Sequence, residues 1–299
     1  MRKLIAEYKR WNQAAQPQEG VTTISVDEVA AKVASFYEKI RGVVDWREEH
    51  LLRKTAIERI LKRRMFLGAK EEFAEPFLQE LIRGGHFPNE RIPASKIQEI
   101  QGIVEKYFYL LEHAPQGGTE QVLQELRIWL LSIAAAEIEE ALAPPIRERA
   151  LLEFMTEDMR ARVTLQNGRT LTEEQRMTQI SVAVQCALFK LDESTITYHL
   201  LEQKYSDWKK PSSQTLQDIA KELAALRTEL VNVLHHPLAE RLYQLMEKYD
   251  TSYLIIGDIL AENTNKFEEL LEDPSALEAV IRQTYQERLK RLKKKMQRA

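Results

Sequence analysis

The chain has 299 residues, 44% hydrophobic and 30% charged, with a formal net charge of −3. That is enough apolar material for a core and too little positive charge for a general nucleic-acid binder. A single cysteine, Cys186, excludes an intramolecular disulfide framework and a Cys-rich zinc site. It sits in SVAVQCALF, where a buried core thiol is expected.

Taken in order, Lys3 to Ala15 carries Leu4, Ile5, Tyr8 and Trp11 on one face and predicts a short amphipathic helix. Glu7, Lys9 and Arg10 interrupt any apolar core of a signal peptide there, so none is expected. A linker follows to Ile24, and Val21 to Val26 is the only candidate strand. Ser25 with Glu28, and Asp45 with Glu48, are capping-box pairs for two helices. The first carries Val29, Val33, Phe36, Tyr37 and Ile40; the second runs from Trp46 to Leu67. A shorter helix spans Phe73 to Arg83, and Gly84-Gly85 ends it before a loop with Pro88 and Pro93. Ala94 to His113 is helical, and Thr119 caps a long helix to Leu142. Its stretch from Ile128 to Ile138 is about half as long as the ~20 apolar residues of a membrane span, so a buried core helix is expected.

Pro144-Pro145 is the strongest punctuation mid-chain, and the next helix runs to Gln166. Thr172 and Gln175 open a helix to Leu191; Asp192 caps one to Trp208, and Ser213 one to His236. Pro237 starts a helix to Asp250, short helices cover Tyr253 to Glu262 and Phe267 to Glu272, and Asp273-Pro274 opens the last. The pattern is that of an all-α protein of about ten to thirteen helices, with a protruding basic C-terminal helix. It divides into an arm and linker at 1–24, a body at 25–272 that a break at 143–145 can split in two, and a basic terminal helix at 273–299.

No phosphate-binding loop, dinucleotide fingerprint, H-E-x-x-H or nucleophile elbow occurs, so no catalytic residue, cofactor or metal is assigned. The adjacent His235 and His236 point about 100° apart on a helix and chelate poorly. Glu137, Glu139 and Glu140 lie close on one helix, but acid–base chemistry needs two carboxyls facing one substrate, which spacing alone does not supply. Arg83, His86 and Arg91 around the Gly84-Gly85 turn are the one candidate anion site. The bland alternative has a glycine in the left-handed position and Phe87 packed back on the helix. Arg53, Lys54, Arg59, Lys62, Arg63 and Arg64 form a basic stripe that could bind nucleic acid or face a partner.

The chain ends in ERLKRLKKKMQRA, seven Lys or Arg against one Glu. Residues 286–299 carry +6, and the preceding 285 residues carry −9. Leu277, Ile281, Tyr285, Leu289, Leu292 and Met296 make one apolar stripe along this helix, whose first half is expected to pack on the body. Arg288, Lys290, Arg291, Lys293, Lys294, Lys295 and Arg298 form a candidate surface for acidic lipid or another polyanion.

The run FYEKIR from Phe36, VDWREEHLLR from Val44 and AIERILKRR from Ala56, together with the basic tail, resembles a stretch in uncharacterised helical proteins of candidate-phyla bacteria. The resemblance implies a topology and no activity: a membrane-spanning region follows such a basic helix, with the helical domain on the cytoplasmic side. Three functions are therefore carried forward. One is a non-enzymatic cytoplasmic interaction or scaffold domain, bound to a protein partner and held at a membrane through its basic end. The second is a nucleic-acid-binding helical protein using residues 53–64 and 288–298. The third is an enzyme of dispersed residues around His86.

Overall fold

In the computed structural model, residues 1–14, 20, 22–27, 46–66, 72–115, 119–164 and 171–296 are described. The helix expected over Val29 to Ile40 and the Asp45 cap lie outside them. The described chain is all-α, with 14 helices. They are α1 (Arg2–Ala14), α2 (Trp46–Phe66), α3 (Ala74–Arg83), α4 (Ser95–His113), α5 (Glu120–Leu142), α6 (Ile146–Arg162) and α7 (Glu173–Phe189). Then come α8 (Glu193–Lys204), α9 (Ser213–Lys221), α10 (Leu223–Leu234), α11 (Ala239–Glu247), α12 (Asp250–Asn263), α13 (Phe267–Glu272) and α14 (Pro274–Met296). None is long and apolar enough to cross a membrane.

The helix starts follow local chemistry. Thr172 and Gln175 complete both halves of their capping box. The Thr119, Asp192 and Ser212 side chains each accept from a backbone N–H of the first turn, satisfying donors the helix leaves open. The cap of α9 is thus Ser212, one residue before the expected Ser213. Asp273 Oδ1 accepts from the N–H groups of Ser275 and Ala276 and opens α14. At α3 the orphan N–H of Ala74 is taken by Gln101 Oε1 of α4, so a tertiary contact replaces a local cap.

Two long segments end differently from what their patterns predict. The one expected over Ser213 to His236 divides at Glu222, whose φ of −102° and ψ of 10° end α9 and begin α10. The one expected from Asp192 to Trp208 stops at Lys204, and the following turn carries Trp208 into the core at 1% exposure. Further on, α12 begins at Asp250 rather than at Tyr253. In place of a strand, Thr23 makes one isolated antiparallel bridge to Pro93, flanked by bonds from Ile24 N to the Ile92 carbonyl and from Ala94 N to the Thr22 carbonyl.

The chain divides into two compact units whose segments alternate in sequence. One comprises Met1–Pro17, Pro145–Lys190 and His236–Ala299; the other Gln18–Pro144 and Leu191–His235. One boundary falls between Pro144 and Pro145. In the first unit α1 packs on α6 and α12, α7 on α6, α11 and α12, and α14 on α12 and α13. Leu4, Ile5 and Tyr8 of α1 are buried, as its pattern predicts, and Trp11 lies 3.9 Å under the Arg147 guanidinium. Gly257 of α12 has no room for a side chain: a Cβ there would stand 2.9 Å from Tyr8 Oη and 3.0 Å from Leu151 Cδ2. Cys186 of α7 is half-exposed, not buried as expected, because Val182, Val184 and Leu188 around it supply the core contacts.

In the second unit α5 is central, packed by α2, α4 and α8, while α9 packs on α4 and α3 on α4 and α2. Leu130, Leu131 and residues 133–140 of α5 are all buried, but Ile128 at the start of the expected core stretch is 43% exposed.

Candidate functional site

The interior of the second unit holds a cluster of buried charged side chains. Glu137, Glu139 and Glu140 are buried, and on a helix at 100° per residue they leave α5 in three directions. Each meets a different helix. Glu137 accepts from Lys106 Nζ of α4 at 2.6 and 2.8 Å, from Tyr107 Oη at 2.8 Å and from Trp208 Nε1 at 3.1 Å. Lys106 also donates to the Trp208 carbonyl at 2.8 Å. Burial pushes the Glu137 carboxyl up and the Lys106 ammonium down; the charge of each opposes the effect on the other. The Tyr107 hydroxyl is pushed well up, first by burial and then by the Glu137 charge.

Glu139, 0% exposed, accepts from Arg53 Nε of α2 at 2.7 Å and lies 2.6 Å from His50 Nδ1. Glu140 lies 2.6 Å from His199 Nε2 of α8. Beside this layer Lys54 donates to Asp192 and Ser194. Burial raises the Asp192 carboxyl, but the Lys54 charge and the bonds from Lys54 and Thr195 more than offset it, so the group sits below its ordinary range. The three glutamates are fully engaged with donors on the protein itself. They pin α2, α4 and α8 to α5. Sequence spacing could not reveal this, because the neutralising residues lie tens of residues away in the chain.

This arrangement corrects the stripe on α2. Arg53 and Lys54 are buried ion-pair members and present nothing to a polyanion. Lys62 pairs with Glu58 at 2.6 Å, and Arg63 and Arg64 both reach Glu80 of α3. Arg64 also donates to the Pro76 carbonyl. Arg59 is exposed. The stripe breaks up because carboxylates of α2 itself and of other elements reach it.

At the Gly84-Gly85 turn, Gly85 takes a φ of +65° and Phe87 is buried at 5% exposure. The His86 ring lies over Gly84, where an added Cβ would stand 2.8 Å from its Cδ2. Arg83 and Arg91 are exposed, and Arg83 lies 3.6 Å from Asp27. The geometry is that of a braced helix exit. Nearby, an open groove of about 900 Å³ at the starts of α3 and α4 is edged by Glu72, Glu75 and Glu105, the wrong sign for an anion. Among the described residues no three His, Cys, Asp or Glu side chains gather as a metal site.

The last helix behaves differently. Thr284 is buried against its own unit, and Arg288 donates to Asp258 of α12 at 2.6 Å. Ile281, Tyr285 and Leu289 are 40%, 46% and 37% exposed. The expected packing of the stripe's first half is therefore wrong for Ile281 and Tyr285. The face that packs is the one carrying Thr284 and Arg288, and Ile281, Tyr285 and Leu289 lie beside it in solvent. Lys290 and Lys293 are exposed. The side chains of Arg291, Lys294 and Lys295, and the whole of Arg298, lie outside what is described.

No protein-family model matches the chain, and neither a curated protein nor a solved structure shows significant similarity to it.

Proposed function

We propose that this protein is a non-catalytic helical interaction module held at an acidic membrane surface by the basic end of α14, on the cytoplasmic side. The observation that carries this is the surface of α14. Exposed Ile281, Tyr285 and Leu289 run directly into exposed Lys290 and Lys293, in a segment with seven Lys or Arg against one Glu. A lysine or arginine near an acidic bilayer contributes about 1 kcal/mol, attenuated beyond a Debye length of about 8 Å at physiological salt. Several such residues exceed what a thin apolar strip supplies, so the attraction is electrostatic first. The resemblance to helical proteins with a following membrane region supports the same placement.

Co-sedimentation with vesicles tests this. Binding is expected on phosphatidylserine-containing vesicles, not on neutral phosphatidylcholine, and is mostly lost at about 0.5 M salt. Replacing Lys293, Lys294 and Lys295 by Gln weakens it strongly. Equal binding to neutral and acidic vesicles overturns the electrostatic reading. Salt-sensitive binding to RNA or DNA with no affinity for acidic vesicles would replace it by the nucleic-acid reading, which has lost Arg53 and Lys54 to the interior.

A further inference from the structure

The open groove at the starts of α3 and α4 repels anions, and its chemistry suits a cation. Glu72, Glu75 and Glu105 at its edge are all exposed, and no Lys, Arg or His lines it. Glu75 accepts from the Gln79 amide at 3.4 Å and Glu105 from the Gln101 amide at 2.8 Å, both neutral donors. Among the described residues no cation pairs with any of the three. The two helix starts each bring roughly half a positive charge, so three carboxylates leave the groove negative by about two. Pro76, Ala94 and Ile97 add apolar lining, and the volume of about 900 Å³ is near the top of the roughly 300–1,000 Å³ range of ligand sites. Such a lining fits lysine, whose stem covers apolar surface while its ammonium reaches a carboxylate.

The chain carries a segment of that kind. Residues 289–296 read LKRLKKKM, five cations and no carboxylate among three apolar side chains. Lys290 and Lys293 are exposed, and among the described residues no carboxylate pairs with either. We infer that the groove of one copy takes the basic end of α14 of a second copy of this chain. Lysines of the incoming segment pair with Glu72, Glu75 and Glu105, and their stems cover Ala94 and Ile97. Each copy offers one groove and one basic end, so the contact is heterologous and passes from copy to copy. Exposed ion pairs in a small interface make it weak and salt-sensitive. The basic end cannot occupy the groove and the acidic lipid proposed above at the same time. The contact itself needs no lipid, and its test contains none, so it can fail without the membrane reading failing.

Sedimentation equilibrium of the full chain is the test. The average mass should rise with protein concentration at low salt and fall to that of one chain at about 0.5 M salt. A groove variant replaces Glu72, Glu75 and Glu105 by Gln, and a tail variant replaces Lys293, Lys294 and Lys295 by Gln. Each should associate about 10-fold more weakly than wild type, or worse, with unchanged circular dichroism. Mixed together, the two should form a one-to-one complex that grows no further, because one keeps its basic end and the other its groove; a misfolded variant could not restore this. Carbodiimide coupling, which joins a Glu carboxylate to a Lys amine as an amide with loss of water, locates the contact. In a mixture of heavy-isotope-labelled and unlabelled wild type, links from Glu72, Glu75 or Glu105 to the lysines at 290–295 should join a labelled to an unlabelled chain. Links confined to single chains would overturn the second copy as occupant. A monomer at every concentration, a groove variant that associates like wild type, or a mixture no more associated than its components would overturn the contact.

Discussion

Helices α2 and α14 are both basic toward their C-terminal ends, and the fold treats them in opposite ways. In α2, Arg53 is neutralised by Glu139, Lys54 by Asp192, Lys62 by Glu58, and Arg63 and Arg64 by Glu80. In α14, Arg288 is drawn to Asp258, while Lys290 and Lys293 stay exposed beside an unburied apolar strip. A run of cations therefore says little until the carboxylates that reach it are known. Arg53 and Lys54 of α2 are buried in ion pairs that hold helices together, while Lys290 and Lys293 of α14 lie at the surface.

The largest effect that would sharpen this contrast is expected at Glu139. Changing it to Ala leaves His50 buried without its carboxylate and Arg53 with only the exposed Glu49, a loss on the order of 3–5 kcal/mol for a broken buried pair. Urea denaturation measures it. If Glu139→Ala unfolded as readily as wild type, α2 would not be held by its charges.

Lys106→Met is nearly as severe at neutral pH, but its cost should depend on pH. Burial already raises the Glu137 carboxyl above its ordinary value of 4.5, and losing Lys106 raises it further. A group raised in the fold contributes stability that is full below the unfolded value and lost as pH rises through the folded one. The variant should thus recover stability as pH falls from neutrality toward that of an ordinary carboxylate. A gap from wild type that is constant with pH would contradict the assignment of Glu137 as the residual buried charge.

Gly257→Ala in the first unit introduces a methyl against Tyr8 and Leu151 and should cost about 1–3 kcal/mol, with no charge involved. Its thermal unfolding is a control that separates packing from electrostatics. Asp192→Asn keeps a capping side chain but takes the carboxylate from buried Lys54, and should cost about 1–3 kcal/mol. Because the Asp192 carboxyl sits below its ordinary range, its contribution is present above the unfolded value and disappears as pH falls through the folded one. Wild type and Asp192→Asn should therefore converge in stability in strong acid. Smallest of all, Lys293→Gln should change stability by less than about 0.5 kcal/mol, as expected for an exposed side chain.

What could be read from the amino acids was what neighbours in sequence decide. The Thr172–Gln175 box and the Asp192 cap are contacts across three residues, so residue type alone announces them. The amphipathic face of α1 was legible for the same reason. The break at Glu222 was not, since nothing in that residue's chemistry forbids a continuous helix. The roles of Glu137, Glu139 and Glu140 were hidden because Lys106, Arg53 and His199 approach them from other helices. The exposure of Ile281 and Tyr285 was hidden more deeply. A hydrophobic stripe marks a face that can pack, but here the protomer uses the adjoining face with Thr284 and leaves Ile281 and Tyr285 exposed.

The most direct test of the contrast between the two basic helices is a paired titration on phosphatidylserine-containing vesicles at physiological salt. One variant replaces Lys62, Arg63 and Arg64 of α2 by Gln; the other replaces Lys293, Lys294 and Lys295 of α14. The expected result is that the α14 variant loses most of the affinity and the α2 variant stays close to wild type. Equal losses in both, or a greater loss in α2, would contradict the account.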